Sequence, residues 1–141
     1  MLVLASLSES RQFDLSSGEN WLIVRKPPAV IPAFFEHVPA LSPSPTLFKK
    51  AQEWKAEYTS KSDWWEMYEQ AFLFEMEDRI ELKHALSRLR NILQEGKLVR
   101  LFCYCPDVHH CHRQYIGKWA EKQGFEVDYR EKPQTEQLSL F

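Results

Sequence analysis

The sequence predicts an α/β domain built on a short, mostly parallel sheet of about four strands with flanking helices, followed by a flexible C-terminal tail. Three observations carry this. The runs MLVLASL, WLIV and LVRLFC are apolar, rich in β-branched and aromatic residues, and short enough for buried strands. Helical periodicities fill the interval between the second run and the third. Late in the chain a strand passes through a polar loop into a helix, and FEVDYRE supplies one more strand-like run. With 141 residues, 44% of them hydrophobic and 27% charged, the chain suits one compact domain with its own core. Residues 1–130 are read as that domain and 131–141 as the tail.

The opening MLVLASLSESRQFDL has no basic residue ahead of its apolar run and turns polar at once. It suits neither a secretion signal nor a membrane span, which predicts a cytoplasmic protein with no membrane partner. It is read as the first strand. Trp21–Val24 forms the second, stopped by Pro27 and Pro28, with Arg25 at its end. From Pro27 to Pro45 the chain carries most of its prolines, together with Phe34, Phe35 and His37. That composition predicts an ordered loop held by aromatic anchors, with neither helix nor strand.

Three helical patterns follow. Ser44 is placed to cap the first, with Pro45 at its first position and Leu47, Phe48, Ala51, Trp54 and Tyr58 on one face against the sheet. Asp63 can cap the second, whose apolar face is Trp64, Met67, Tyr68, Ala71, Phe72 and Met76. The third runs from about Asp78 to a glycine stop at Gly96. LVRLFCYC then reads as the buried centre of a sheet, and Cys111–Gln123 as a helix closed by Gly124. FEVDYRE is expected to run parallel to the strand before it.

The densest chemistry is FCYCPDVHHCHRQ, where a parallel strand gives way to a helix. Ligands bind at such carboxyl-end loops, because a helix N-terminus offers unpaired N–H groups and partial positive charge. Three readings fit. The first is an anion or nucleotide site in which Arg113 holds the charged group and Cys111 or His112 acts as nucleophile or acid/base. The second is a zinc site drawn from Cys103, Cys105, Cys111 and His109, although Cys-x-Cys is tighter than the usual ligand pair, so no cofactor is the favoured expectation. In the third, the cysteines are small buried hydrophobes and the histidines line a polar turn. Three cysteines within one short stretch argue for site chemistry over a disulfide framework.

LFCYCPDVHHCHR resembles the signature of the domain-of-unknown-function family 488, in which a strand ending in Cys leads through an acidic loop to Cys-His-Arg. The matching positions are Cys103, Asp107, Cys111, His112 and Arg113. IVRKPP, VPALSPSPTLF and WWEMYEQAF are similar to the family's Arg-bearing strand end, its Leu-x-Pro-Ser segment and its aromatic helix, so the likeness runs from about Leu22 to Tyr129. The resemblance implies an α/β fold and a site rather than a reaction. By analogy, Arg25 and Arg113 face each other across the sheet's carboxyl edge and bind an anion.

The chain ends in Gln137, Leu138, Ser139, Leu140 and Phe141. QLSLF is similar at every position to the consensus by which bacterial replication and repair proteins dock on the β sliding clamp. An extended segment of this kind offers Gln137 as a hydrogen-bonding anchor and Leu138, Leu140 and Phe141 for apolar pockets. The net charge of −2 supplies no basic field for DNA, so a partner would have to bring the protein there. The expected function is therefore a DNA replication or repair accessory protein recruited by the clamp, with a DNA or nucleotide site at Cys111, His112 and Arg113. The alternatives are a stand-alone enzyme acting on a small anionic or nucleotide substrate through Cys111, and a module that blocks the clamp without chemistry. Trp64 and Trp65 could stack on bases.

Overall fold

The computed structural model describes residues 1–130, and the expected tail with its QLSLF lies outside them. Five strands, β1 (Leu2–Ser6), β2 (Glu19–Leu22), β3 (Phe35–His37), β4 (Val99–Cys103) and β5 (Val127–Asp128), form one sheet in the order β3-β2-β4-β1-β5. Every pairing is parallel. The helices are α1 (Pro45–Glu57), α2 (Trp65–Asp78), α3 (Ile80–Gln94) and α4 (Arg113–Lys122).

The strand beyond the expected four is β3, which lies inside the proline-rich run read as loop. Pro32 and Pro39 fall outside its three residues, and β3 is an edge strand, where prolines nearby do not break a central ladder. Phe34 precedes it with φ of 73°, an uncommon backbone for a non-glycine residue. The loop's anchors are also more polar than expected. Phe35 packs edge-on against Phe102 at 5.1 Å, but Phe34 is exposed. Arginines hold the rest: Arg25 donates to the carbonyls of Pro39 and Pro43, and Arg79 to those of Ala40 and Ser42. Strand β5 is parallel as expected, but its partner is β1, which separates it from β4.

Alternation sorts the sheet's residues between two faces. Leu4, Leu101 and Trp21 sit side by side in register, and Trp21 meets the Arg88 guanidinium of α3 at 4.5 Å. On the other face Phe102 meets Phe13, and the Arg100 guanidinium donates to Ser17 O and Asn20 Oδ1 at 2.7 and 2.9 Å. Strand β4 is buried along its whole length, as its unbroken apolar run predicts. Helix α1 departs from expectation. It begins where predicted, with Ser44 Oγ accepting from Leu47 N, but it packs on α2 and buries only Leu47 fully, leaving Tyr58 exposed. In α2 the apolar stripe is core at Tyr68 and Phe72, whereas Met67 is exposed.

Helix α4 lies close on β1 because Gly117 lets it. A Cβ at that position would stand 2.6 Å from Leu4 Cδ1 and 2.9 Å from Tyr129 Cε1. Leu4 is fully buried and cannot swing away into solvent. Gly117→Ala is therefore predicted to cost about 1–3 kcal/mol by overpacking, read as a lowered urea midpoint. An unchanged midpoint would mean that α4 is free to shift off β1.

Candidate functional site

The carboxyl ends of β1, β2 and β4 open on one edge of the sheet, and the loop from β4 to α4 crosses it. Asp107 organises this loop, accepting from His109 N at 2.9 Å and from His110 Nδ1 at 2.7 Å over a short 3-10 turn, Val108–His110. The turn folds the chain back so that Cys111 meets the end of β4, with Cys103 Sγ and Cys111 Sγ 2.9 Å apart. With Cys105, the three Sγ atoms all lie within 4.8 Å of one another. Three soft thiol ligands this close could hold a metal ion. Among the described residues His109 does not join them.

Arg113 does not face solvent. It is 2% exposed, and its Nη1 donates to Cys103 Sγ at 2.8 Å and to Cys105 O at 2.6 Å. Arg25 is committed to the proline loop's carbonyls, so the two arginines do not form the expected pair across the edge. Their common feature is different: Arg25 lines the pocket described below, while Arg113 lies beneath it as the counter-ion of the sulphur cluster.

The three thiols are not equivalent. Burial pushes the Cys111 thiol well up, and its sulphur neighbours push it further. The hydrogen bond to Cys105 raises Cys103 to about 11. Cys105, the half-buried member, is pulled far down because Cys103 and then Cys111 donate to its sulphur, with Lys61 adding attraction. The three thiols therefore titrate as one coupled set, in which the ionised form is favoured at Cys105.

His112 is buried, and that burial lowers its pKa. Its Nε2 lies 2.9 Å from the carbonyl of Ile23, which can only accept, so Nε2 bears the proton. Nδ1 is then an acceptor, 3.7 Å from Cys111 Sγ. His112 therefore ties α4 to β2 while turning a lone pair toward the most buried thiol.

Above the sulphurs is a cavity of about 220 Å³. Trp64, Trp65, Tyr68 and Tyr104 form its walls, the three cysteines lie against its floor, and Arg25, Lys26 and Lys61 stand among its lining residues. Trp65 is fixed in place: it stacks on Tyr68 at 4.7 Å, and its Nε1 donates to Tyr115 Oη, which donates in turn to Glu69. Lys61 Nζ sits 5.3 Å from the Trp65 ring centroid and bonds the His110 carbonyl. Tyr104 Oη reaches the Lys26 carbonyl at 2.9 Å. Of these residues the two tryptophans were visible in the sequence as stacking candidates. Tyr104 could have been found from its place between Cys103 and Cys105, since alternation turns it away from them. Lys61 carried no signal.

The family profile described as the active DUF488-N3 subclade matches residues 4–124, and the chain belongs to that branch of the domain-of-unknown-function family 488. No curated protein and no solved structure matches it. Among the described residues no helix is long and apolar enough to cross a membrane.

The His112 geometry makes a prediction about acid. A histidine whose folded pKa lies below its unfolded value of about 6.5 gives stability that is complete above that value and lost as pH falls below it. The melting temperature should drop on acidification below about pH 6.5, and His112→Gln, which keeps a donor for Ile23 O, should flatten that slope. Equal slopes for both proteins would show that His112 is not held neutral.

Proposed function

We propose that the protein is a DNA replication or repair accessory factor that binds a nucleotide or an exposed nucleic-acid base in the aromatic pocket, presents Cys105 as a nucleophile, and is brought to DNA by the bacterial β sliding clamp through QLSLF. The observation that carries the pocket reading is that Cys105, the one half-buried cysteine of the three, lines a cavity together with Trp64, Trp65, Tyr68 and Tyr104. Aromatic faces stack on any base, and cationic side chains at the rim attract phosphate. The cavity's volume of about 220 Å³ accommodates a single planar ring system rather than a folded peptide.

In this reading the Cys-His-Arg element supports the nucleophile without being it. Arg113 supplies positive charge under the cluster, and Cys103 and Cys111 donate to the reacting sulphur. A nucleophilic thiol is activated by a lowered pKa, and Cys105 has both that and access to the cavity. The clamp peptide supplies location. A net charge of −2 gives little attraction to DNA, whereas tethering raises local concentration without any new contact.

The zinc reading remains the specific alternative, favoured by the proximity of the three sulphurs. A stoichiometric metal in the purified protein, removed only with loss of folding, would replace the nucleophile by a structural metal centre. The pocket reading expects sub-stoichiometric metal.

Two further outcomes are expected. Iodoacetamide should alkylate Cys105 at pH 6 nearly as fast as at pH 8, because the thiolate persists far below the ordinary thiol value of about 8.5. A rate falling about tenfold per pH unit below 8 would sink the assignment. Removal of Gln137–Phe141 should abolish binding to purified β clamp in a surface-capture assay while leaving Cys105 labelling intact. If the full chain shows no clamp affinity, a stand-alone enzyme at the same pocket is left. If Cys105→Ser keeps the full cellular effect of a clamp-binding chain, a clamp-blocking module is left.

A further inference from the structure

We infer that Cys105 and Cys111 form a reversible disulfide when a peroxide enters the pocket, so that the site is also an oxidation sensor that switches its own nucleophile off. This rests on the reading of Cys105 as the reactive sulphur, and it gives the buried Cys111 a task beyond donating to that sulphur and His112 a part in proton transfer.

The geometry carries the argument. All three Sγ atoms lie within 4.8 Å of one another and all three cysteines line the cavity, but Cys105 is the one not fully buried, so an oxidant arriving from solvent meets Cys105 first. The Cys105 thiolate attacks one peroxide oxygen. An S–O bond forms, the O–O bond breaks, and hydroxide leaves and takes up a proton from solvent, giving a sulfenic acid and water. Cys111 then attacks the Cys105 sulphur. An S–S bond forms, the S–O bond breaks, and the departing hydroxide becomes water with the proton from the Cys111 thiol. His112 Nδ1, 3.7 Å from that thiol and deprived of a proton by the Ile23 contact at Nε2, is placed to receive it in passing. Two thiols lose two electrons and the peroxide is reduced to two waters.

Cys111 is the resolving partner rather than Cys103 for two reasons. Cys103 and Cys105 are separated by one residue at the end of β4, and a ring that small strains the disulfide dihedral. Cys103 also accepts from the buried Arg113 Nη1, which would lose that acceptor. Cys111 sits six residues from Cys105 on the far side of the Val108–His110 turn, a loop long enough to close without breaking the strand.

The test uses full-length protein, reduced and then exposed to a few equivalents of hydrogen peroxide. The intact mass should fall by about 2 Da, the loss of two hydrogens. Cleavage after Tyr104 and before Asp107 leaves each cysteine on its own fragment, and without reductant the fragments carrying Cys105 and Cys111 should remain joined. Dithiothreitol should restore iodoacetamide labelling. Cys111→Ser should instead stop at the sulfenic acid and be captured by dimedone, and Cys103→Ser should still close the bond. The inference is overturned if wild-type protein gains oxygen without closing a disulfide, or if the bond formed leaves Cys105 free. The fragment map needs no variant and stands even if a substituted protein folds poorly. If Cys105 labels rapidly at pH 6 yet no disulfide forms, this inference fails and the pocket reading survives; if Cys105 does not label, both fail.

Discussion

The arrangement at the sheet's carboxyl edge depends on one buried cation. Arg113 is always charged, is nearly inaccessible, and spends Nη1 on a sulphur and a carbonyl. An uncompensated guanidinium in that position would cost several kcal/mol, so its surroundings must supply negative charge. Among the described residues within reach, the thiols are the groups that can do so. The cysteines therefore form a coupled, ionisable set beside the guanidinium. Within it the thiolate is favoured at Cys105, because Cys103 and Cys111 donate to its sulphur and burial opposes this least there.

The pocket's walls follow from the packing of α2. Trp64 starts that helix and is 5% exposed, Tyr68 lies one turn on, and Phe72 beyond it is fully buried; Trp65, between the first two, stacks on Tyr68 toward the cavity. The aromatic stripe thus serves two purposes at once, with its inner edge closing the core and its outer edge forming a rigid surface. Tyr115 and Glu69 hold Trp65 through a chain of hydrogen bonds, which leaves its ring little rotamer freedom. Burial raises the Tyr115 phenol and the bond to Glu69 raises it further, so this chain stays a neutral donor at ordinary pH.

Sequence reading reached the fold class, β1, β2 and β4, all four helices and the placing of the cysteine loop at a strand-to-helix passage. It reached them because these elements show strong periodicity or long apolar runs. It missed β3, whose three residues are set by pairing with β2 rather than by their own propensity, and it left the neighbour of β5 open, because strand order is a tertiary property. At the site it named residues that the fold does bring together, without their burial. Cys111, His112 and Arg113 stand together in the sequence, and all three are buried, whereas Cys105 is only half-buried. Exposure is what the sequence could not show. Nor does IVRKPP reveal that two proline carbonyls would take Nε and Nη2 of Arg25.

Under the proposed function, a pocket of this kind would gain from a docking peptide elsewhere in the chain. Stacking on an aromatic wall is worth about 1–3 kcal/mol per base, too little by itself for useful affinity toward a single nucleotide in DNA. The rim cations add screened attraction only, since Lys61 is already engaged with His110 O and Trp65. A weak site of low sequence preference is a handicap for a freely diffusing protein and an advantage for one held at the right place, because it can release each base it samples. In that reading the six residues from Glu131 to Glu136 would span at most about 22 Å when extended, and short flexible tethers give effective concentrations on the order of millimolar. A tethered pocket would then need only an affinity of about millimolar to be occupied.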